Sequence, residues 1–292
     1  MSITDGAPMP GFIAVGPPRT ATTWLEHALA GHVGLPAGIK ETDYFGNRYA
    51  LGADWYRSHF RACDRSRPVG EICPVYFDSP AARERIAADL PDCRIICTLR
   101  DPVDRLYSHY RLLRREGWIG LLTFEQALAR DLTWNGPGNL HGSNRYASHL
   151  AEWRRLFGAG RVLTLLHGDL VTDPAAYLQG VCDFIGTGPI ALPPALARER
   201  VNQVEHAPRN PRLARSARKL RELLIRHRLY GILSAAAPLW KLCAGGGERF
   251  APLDPALAAR LRTQLKPEVE ALEQLLGRDL MNWKESPPAR DD

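Results

Sequence analysis

The stretch from Phe12 to Leu25, FIAVGPPRTATTWL, constrains what this chain can fold into more than any other. Phe12, Ile13, Ala14 and Val15 form an unbroken apolar run, Gly16 with Pro17 and Pro18 stops it, and Thr20 to Thr23 stand where a helix would begin. A buried strand, a tight loop and a helix opening in that order make a seat for an anion. The first N–H groups of the helix have no partner within it, and the macrodipole is positive at that end. A phosphate would be satisfied there by those N–H groups, by the Thr22 and Thr23 hydroxyls and by the cation Arg19. The Walker pattern ends in Gly-Lys-Ser/Thr, whereas this loop ends in Ala21-Thr22-Thr23, which disfavours a nucleoside triphosphatase. Taken alone, the same string also fits a threonine-capped turn that holds no ligand.

A second junction of the same kind follows. Arg94 to Arg100, RIICTLR, reads as a strand buried on both faces that ends in a charge, and Asp101-Pro102 opens a helix with proline in its first turn. Two apolar strands, each ending in a cation just before a helix, predict an open parallel sheet that binds its ligand at the carboxyl ends of the strands. Between the junctions, Gly38 to Phe45 is a short apolar-to-charged segment followed by aromatics, with Lys40-Glu41 beside the end of a second strand, a pair that could equally be a solvated salt bridge. Val69 to Phe77 is an extended segment broken by Pro74, and a helix is expected from Ser79 to Asp89.

With 292 residues and 45% hydrophobic content, the chain can bury a large core. The expectation is one domain over residues 1–292, an α/β core at about 10–190 with a helical C-terminal part at about 195–283. A net charge of +6 suits an acidic ligand but is too mild to call for nucleic acid. The six cysteines show no CxxC pair and no zinc spacing, so reduced thiols in a cytoplasmic, metal-free protein are the simplest expectation. The apolar stretch Leu229 to Trp240 is too short to span a bilayer, and MSITDGAPMP lacks the features of a signal peptide.

Three pieces together, Phe12 to Leu25, Lys40-Glu41 and Arg100 to Tyr110 (RDPVDRLYSHY), resemble the sulfotransferases that use 3′-phosphoadenosine 5′-phosphosulfate (PAPS). The last piece fits the family's R-x-P-x-x-R-x-x-S-x-Y pattern in full. The resemblance implies a P-loop-like three-layer fold, with PAPS as co-substrate. It places the 5′-phosphosulfate at Arg19, Thr20, Ala21, Thr22, Thr23 and Trp24, and the 3′-phosphate at Arg100 and Ser108. Lys40 to Phe45 looks like the K-E-x-x-x-F stretch of the carbohydrate-type and bacterial members, in which the glutamate is the general base; here that is Glu41. Gly142 to Trp153, Leu253-Asp254-Pro255 and Leu276 to Trp283 resemble later family segments without implying a site.

The departures bear on the acceptor. Arg19 stands where the family usually has lysine, and a guanidinium neutralises charge but donates no proton. Where the heparan enzymes use a histidine after the base, a lysine in an E-K-x-P segment and an arginine in the loop, this chain has Asp43, Ile72 and Thr23. Loss of these groups points to a neutral glycan, lipid or natural-product hydroxyl rather than an acidic polysaccharide.

Further along, Phe124 to Arg130, Ser143 to Phe157 and the segment after Asp173-Pro174 read as helices, with Tyr146 and Trp153 as core residues, and Arg161 to Leu166 reads as a strand. Residues 209–228 carry eight Lys or Arg against one Glu along an amphipathic helix. That helix reads as a solvated face, a lid over the nucleotide in which Arg209 reaches the 3′-phosphate, a peripheral contact with an acidic membrane, or a partner helix. The rival functions are a P-loop kinase and a basic protein that binds nucleic acid or anionic lipid. Asp254 to Leu276 is expected as a closing helix kinked at Pro267, before a polar tail.

Overall fold

The computed structural model describes residues 6–130, 140, 142–198, 204–232, 235–236 and 246–285. Its centre is a parallel sheet in the order β2-β1-β3-β4: β1 is Phe12–Ala14, β2 Gly70–Ile72, β3 Arg94–Leu99 and β4 Val162–Leu166. Side chains on successive strand residues point to opposite faces, so each strand feeds two cores. Ile13, Ile95 and Cys97 pack on one side with Trp55 and Tyr56 of α2 (Ala53–Ser58), Ile86 of α3 (Pro80–Asp89) and Trp153 of a later helix. Phe12, Ala14 and Ile96 pack on the other side with Trp24 and Leu25 of α1 (Thr22–Leu29). Helices on both faces explain why β1 and β3 are apolar runs without alternation. The expected three-layer α/β fold is the one observed, and Tyr146 and Trp153 are buried as expected.

The sheet reaches its ligand edge through α4 (Pro102–Arg115), which follows β3 directly. Asp101 caps it, accepting the Val103 and Asp104 N–H groups at 2.8 and 3.1 Å, with Pro102 in the first turn, where its missing donor costs nothing. After α5 (Phe124–Ala129), α6 (Tyr146–Phe157) carries Trp153 and leads to β4; α7 (His167–Thr172) and α8 (Pro174–Ile185) complete the second face.

Two expectations change. No strand leads into Lys40-Glu41: the neighbour of β1 on that side is β2, and the polar run Lys40 to Asp43 forms a loop with Asp43 at φ 49°. The C-terminal part is not wholly helical. After α9 (Pro194–Arg198), β5 (His206–Pro208) pairs antiparallel with β6 (Gly246–Arg249), around α10 (Pro211–Arg226). The closing helix α11 (Pro255–Leu276) runs on through Pro267, followed by α12 (Met281–Lys284). The expected loop at 133–142 lies almost wholly outside the described residues, as does the polar tail beyond Glu285.

Candidate functional site

A cleft of about 1770 Å³ opens at the carboxyl ends of β1 and β3. Its floor is the loop after β1. Gly16 allows that loop to lie against β3, because a Cβ there would sit 2.1 Å from Thr98 Oγ1 and 2.4 Å from the Thr98 carbonyl oxygen. Thr20 fixes the approach: its hydroxyl donates to the Pro17 carbonyl (2.8 Å) or pairs with the Thr98 hydroxyl (2.7 Å). Its side chain is fully buried, so Thr20 supports the loop and does not line the cleft. Arg19 and Ala21 hold φ values of 80° and 71°, uncommon for side-chain-bearing residues and each costing on the order of 1–3 kcal/mol. Such kinks turn successive N–H groups toward a common anion. Ala21, Thr22, Thr23 and Trp24 line the cleft.

A hydrogen bond from Arg19 ties the second motif to the first. Ser108 lies two turns into α4, and its Oγ accepts a hydrogen bond from Arg19 Nε at 2.9 Å. Helical spacing sets Asp104, Ser108, Arg111 and Arg115 along the cleft wall, with Arg100 at the strand end beside them. Arg100 makes a long contact with Asp104, 3.7 Å. Burial, then the charges of Arg115, Arg100 and Arg111, pull the Arg19 guanidinium down to about 10. Four arginines so close together repel one another, and an anion with several negative charges would relieve that repulsion.

Arg105, the other arginine of the motif, is structural. It is buried in α4, where its Nε and Nη2 donate to Asn144 Oδ1 at 2.8 and 2.5 Å and Nη2 also donates to the Leu140 carbonyl. Arg209 donates to the Gly246 carbonyl at 3.0 Å and does not line the cleft. The cations that α10 brings to the cleft are instead Arg218, Lys219, Arg221 and Arg226. The amphipathic period of that helix was readable, but the turn of the chain that aims Arg209 at β6 was not.

Glu41 lines the same cleft, with Lys40 between it and the loop. Lys40 Nζ donates to Thr23 Oγ1 (2.6 Å), pairs with Glu26 (3.1 Å) and stands 4.0 Å from Glu41 Oε1. Burial raises the Glu41 carboxyl above its ordinary value, while Lys40 pulls it back. A carboxylate moved upward toward neutrality is better matched to accept a proton from a hydroxyl. Among the described residues, no group of three or more His, Cys, Asp or Glu is placed to hold a metal, and no helix is long and apolar enough to cross a membrane.

The residue that sequence reasoning missed is Glu71. It is fully buried in the middle of β2 and accepts bonds from Thr42, next to Glu41. A charged residue within an apolar strand was the available signal.

A profile described as "Sulfotransferase family" matches residues 73–188. The bovine bifunctional heparan sulfate N-deacetylase/N-sulfotransferase 2 is 31% identical over 198 residues, 62% of this chain and 22% of that protein. The mouse heparan sulfate glucosamine 3-O-sulfotransferase 3B1 is 32% identical over 184 residues, 61% of this chain and 46% of that one. The chain thus spans less than half the length of these curated relatives. A sulfotransferase from Alicyclobacillus acidocaldarius has the same fold, with a TM-score of 0.70 at 21% identity over 95% of this chain and 100% of that one. Residues 73–188, which include the second strand–helix junction, match the sulfotransferase family, and the chain is similar to members of that family over 61 to 62% of its length.

Proposed function

We propose that this protein transfers the sulfuryl group of PAPS to a hydroxyl of a carbohydrate, lipid or natural product. The observation that carries the reading is the Arg19–Ser108 bond, which joins the two anion motifs into one cationic floor in the cleft that Glu41 also lines. The cleft suits a nucleotide with phosphates at two positions. The loop Arg19 to Trp24 would hold the 5′ end, with Thr20 contributing backbone alone, and Arg100 with Ser108 the 3′ end. In the transfer, the bond from sulfur to the 5′-phosphate oxygen breaks and one to the acceptor oxygen forms. Arg19 and the loop N–H groups neutralise charge growing on the departing phosphate, and Glu41 accepts the hydroxyl proton. Because Lys40 is bonded to Thr23 and Glu26, its part in this reading is to tie the base wall to the loop.

Asp43 and Ile72, where the heparan enzymes place a histidine and a lysine, favour a neutral acceptor over an acidic polysaccharide. Free thiols at Cys63, Cys73, Cys93, Cys97 and Cys182 fit a cytoplasmic setting. Leu213, Leu220 and Leu223 are about half exposed among the cations of α10, which fits peripheral contact with an acidic surface. The test is calorimetric titration with 3′-phosphoadenosine 5′-phosphate, ATP and AMP, repeated on Arg100→Ala. Preference for the bisphosphate, lost in the variant, is expected; equal binding of all three would sink the reading and leave the kinase or the basic binding protein.

A further inference from the structure

Glu71 lies behind the catalytic wall and does not line the cleft. Its Oε1 accepts two bonds from one residue, the Thr42 N–H at 3.0 Å and the Thr42 hydroxyl at 2.5 Å. Its Oε2 accepts the Tyr56 hydroxyl at 2.8 Å, and the Tyr76 hydroxyl lies 3.4 and 3.5 Å from the two oxygens. Among the described residues it forms no ion pair. Burying a carboxylate among hydroxyls and rings is costly, and an apolar or neutral side chain of similar shape generally serves stability as well or better. The carboxylate is therefore explained by what it holds.

What it holds is the peptide unit that joins Glu41 to Thr42. The N–H end of that unit points to Glu71, and the carbonyl end, that of Glu41, lies 3.5 Å from Arg48 Nη1. Arg48 Nη1 also donates to the next carbonyl, that of Thr42, at 2.6 Å. A peptide unit is planar, so holding both of its polar ends sets the direction in which the Glu41 side chain leaves the backbone. The Thr42 hydroxyl adds a third restraint by accepting the Tyr44 N–H at 3.2 Å. Stacked rings of Tyr44 and Tyr56, 4.5 Å between centroids, close the space around it.

We propose that Glu71 is a positioning residue: through Thr42 it fixes the peptide unit that bears Glu41, and so aims the Glu41 carboxylate at the acceptor hydroxyl. This rests on the reading of Glu41 as the base. Glu71→Gln keeps the shape and one acceptor oxygen toward Thr42, but turns an NH₂ toward Tyr56 and loses the charge that strengthens the grip. Thr42→Val removes the hydroxyl and keeps the shape; Thr42→Ser restores it.

The experiment compares the wild type with Glu71→Gln, Thr42→Val, Thr42→Ser and Glu41→Gln. It measures calorimetric affinity for 3′-phosphoadenosine 5′-phosphate, the rate of bisphosphate release from PAPS with water as acceptor, and the Glu41 position in crystals. Glu71→Gln and Thr42→Val are expected to slow release about 10- to 100-fold with affinity unchanged within about twofold, and to displace the Glu41 carboxylate by about 1 Å. Thr42→Ser should recover most of the rate. An unmoved Glu41 carboxylate with the wild-type rate in Glu71→Gln overturns the inference, even where Glu41→Gln is inactive and the base reading stands. A wild-type rate in Glu41→Gln overturns the base reading, and this inference with it.

Discussion

The two walls of the cleft are built in different ways. The cationic wall hangs from regular structure: Arg19 follows β1, Arg100 ends β3, and Ser108, Arg111 and Arg115 follow the period of α4. Strand pairing fixes both junctions, since Phe12, Ile13 and Ala14 lie in register with Arg94, Ile95 and Ile96. The wall with Glu41 is irregular chain, shaped by side-chain bonds from Glu71, Lys40 and Arg48. Under the proposed function, the contrast teaches that recognition of a fixed anion is placed on scaffold, while the part that meets a variable acceptor sits on a loop that can change without disturbing the sheet.

Glu41→Gln should break the contrast most sharply. Turnover is expected to fall about 10² to 10⁴-fold, since general base catalysis contributes that much, while bisphosphate affinity stays near the wild-type value. If affinity fell in parallel, the walls would be one unit and the division would be wrong.

The next effect tests the irregular wall through pH. Burial raises the Glu71 carboxyl from 4.5 to about 7, against the hydrogen bonds from Thr42 and Tyr56 that lower it. A raised acid pKa means that the folded state binds the proton more tightly than the unfolded one. The stabilisation is therefore full below the unfolded value of 4.5 and is lost as pH rises toward about 7. A shift of that size corresponds to about 3 kcal/mol. Because glutamine does not titrate, the difference in urea stability between Glu71→Gln and the wild type isolates this group. It should move in favour of the variant by up to about 3 kcal/mol from pH 4 to pH 8. Parallel profiles would mean an ordinary carboxyl. A variant that is more stable at pH 8 and yet slower would show that the carboxylate is kept for position.

On the cationic wall, Arg100→Ala removes a charged donor that is itself only partly buried, with 26% of its side chain exposed. A hydrogen bond to a charged group is worth about 1.5–3 kcal/mol, so bisphosphate affinity should weaken about 10- to 100-fold. AMP, which lacks the 3′-phosphate, should bind the variant and the wild type alike. An equal loss for both nucleotides would mean that Arg100 senses total charge rather than the 3′-phosphate.

The same contrast decides what was legible in the sequence. The floor was readable because its residues lie just after apolar strands: Arg19 and Arg100 follow strand ends, and Ser108 was singled out by the resemblance of Arg100 to Tyr110 to the family pattern. Thr20 was misjudged because Gly16 presses the loop onto Thr98 and turns the hydroxyl inward, a tertiary contact across 78 residues. Lys40-Glu41 was placed beside the end of a second strand, since an apolar-to-charged segment precedes the aromatics there. The backbone there is taken up by side chains, the Thr42 N–H by Glu71 and the Glu41 and Thr42 carbonyls by Arg48, which leaves no ladder for the sheet to extend. The Glu71–Thr42 pair spans 29 residues and has no local period. Strands β5 and β6 have three and four residues, too short for alternation to show.

The smallest effect is expected where the irregular wall meets α10. Arg48 reaches both, donating to the Thr42 carbonyl and pairing with Glu222 at 3.1 Å. The Glu222 side chain is 44% exposed, and a pair of that kind contributes about 0.2–1 kcal/mol, less at high salt. A double-mutant cycle on Arg48→Ala and Glu222→Ala, read by urea stability, should therefore give a coupling below about 1 kcal/mol at low salt that fades as salt is added. Hydrogen exchange should quicken in 211–226 in Glu222→Ala and stay unchanged in β1 and α1. A coupling above about 2 kcal/mol would make α10 a fixed part of the acceptor wall, and the difference between a rigid cationic side and an adaptable base side would then be one of sequence only.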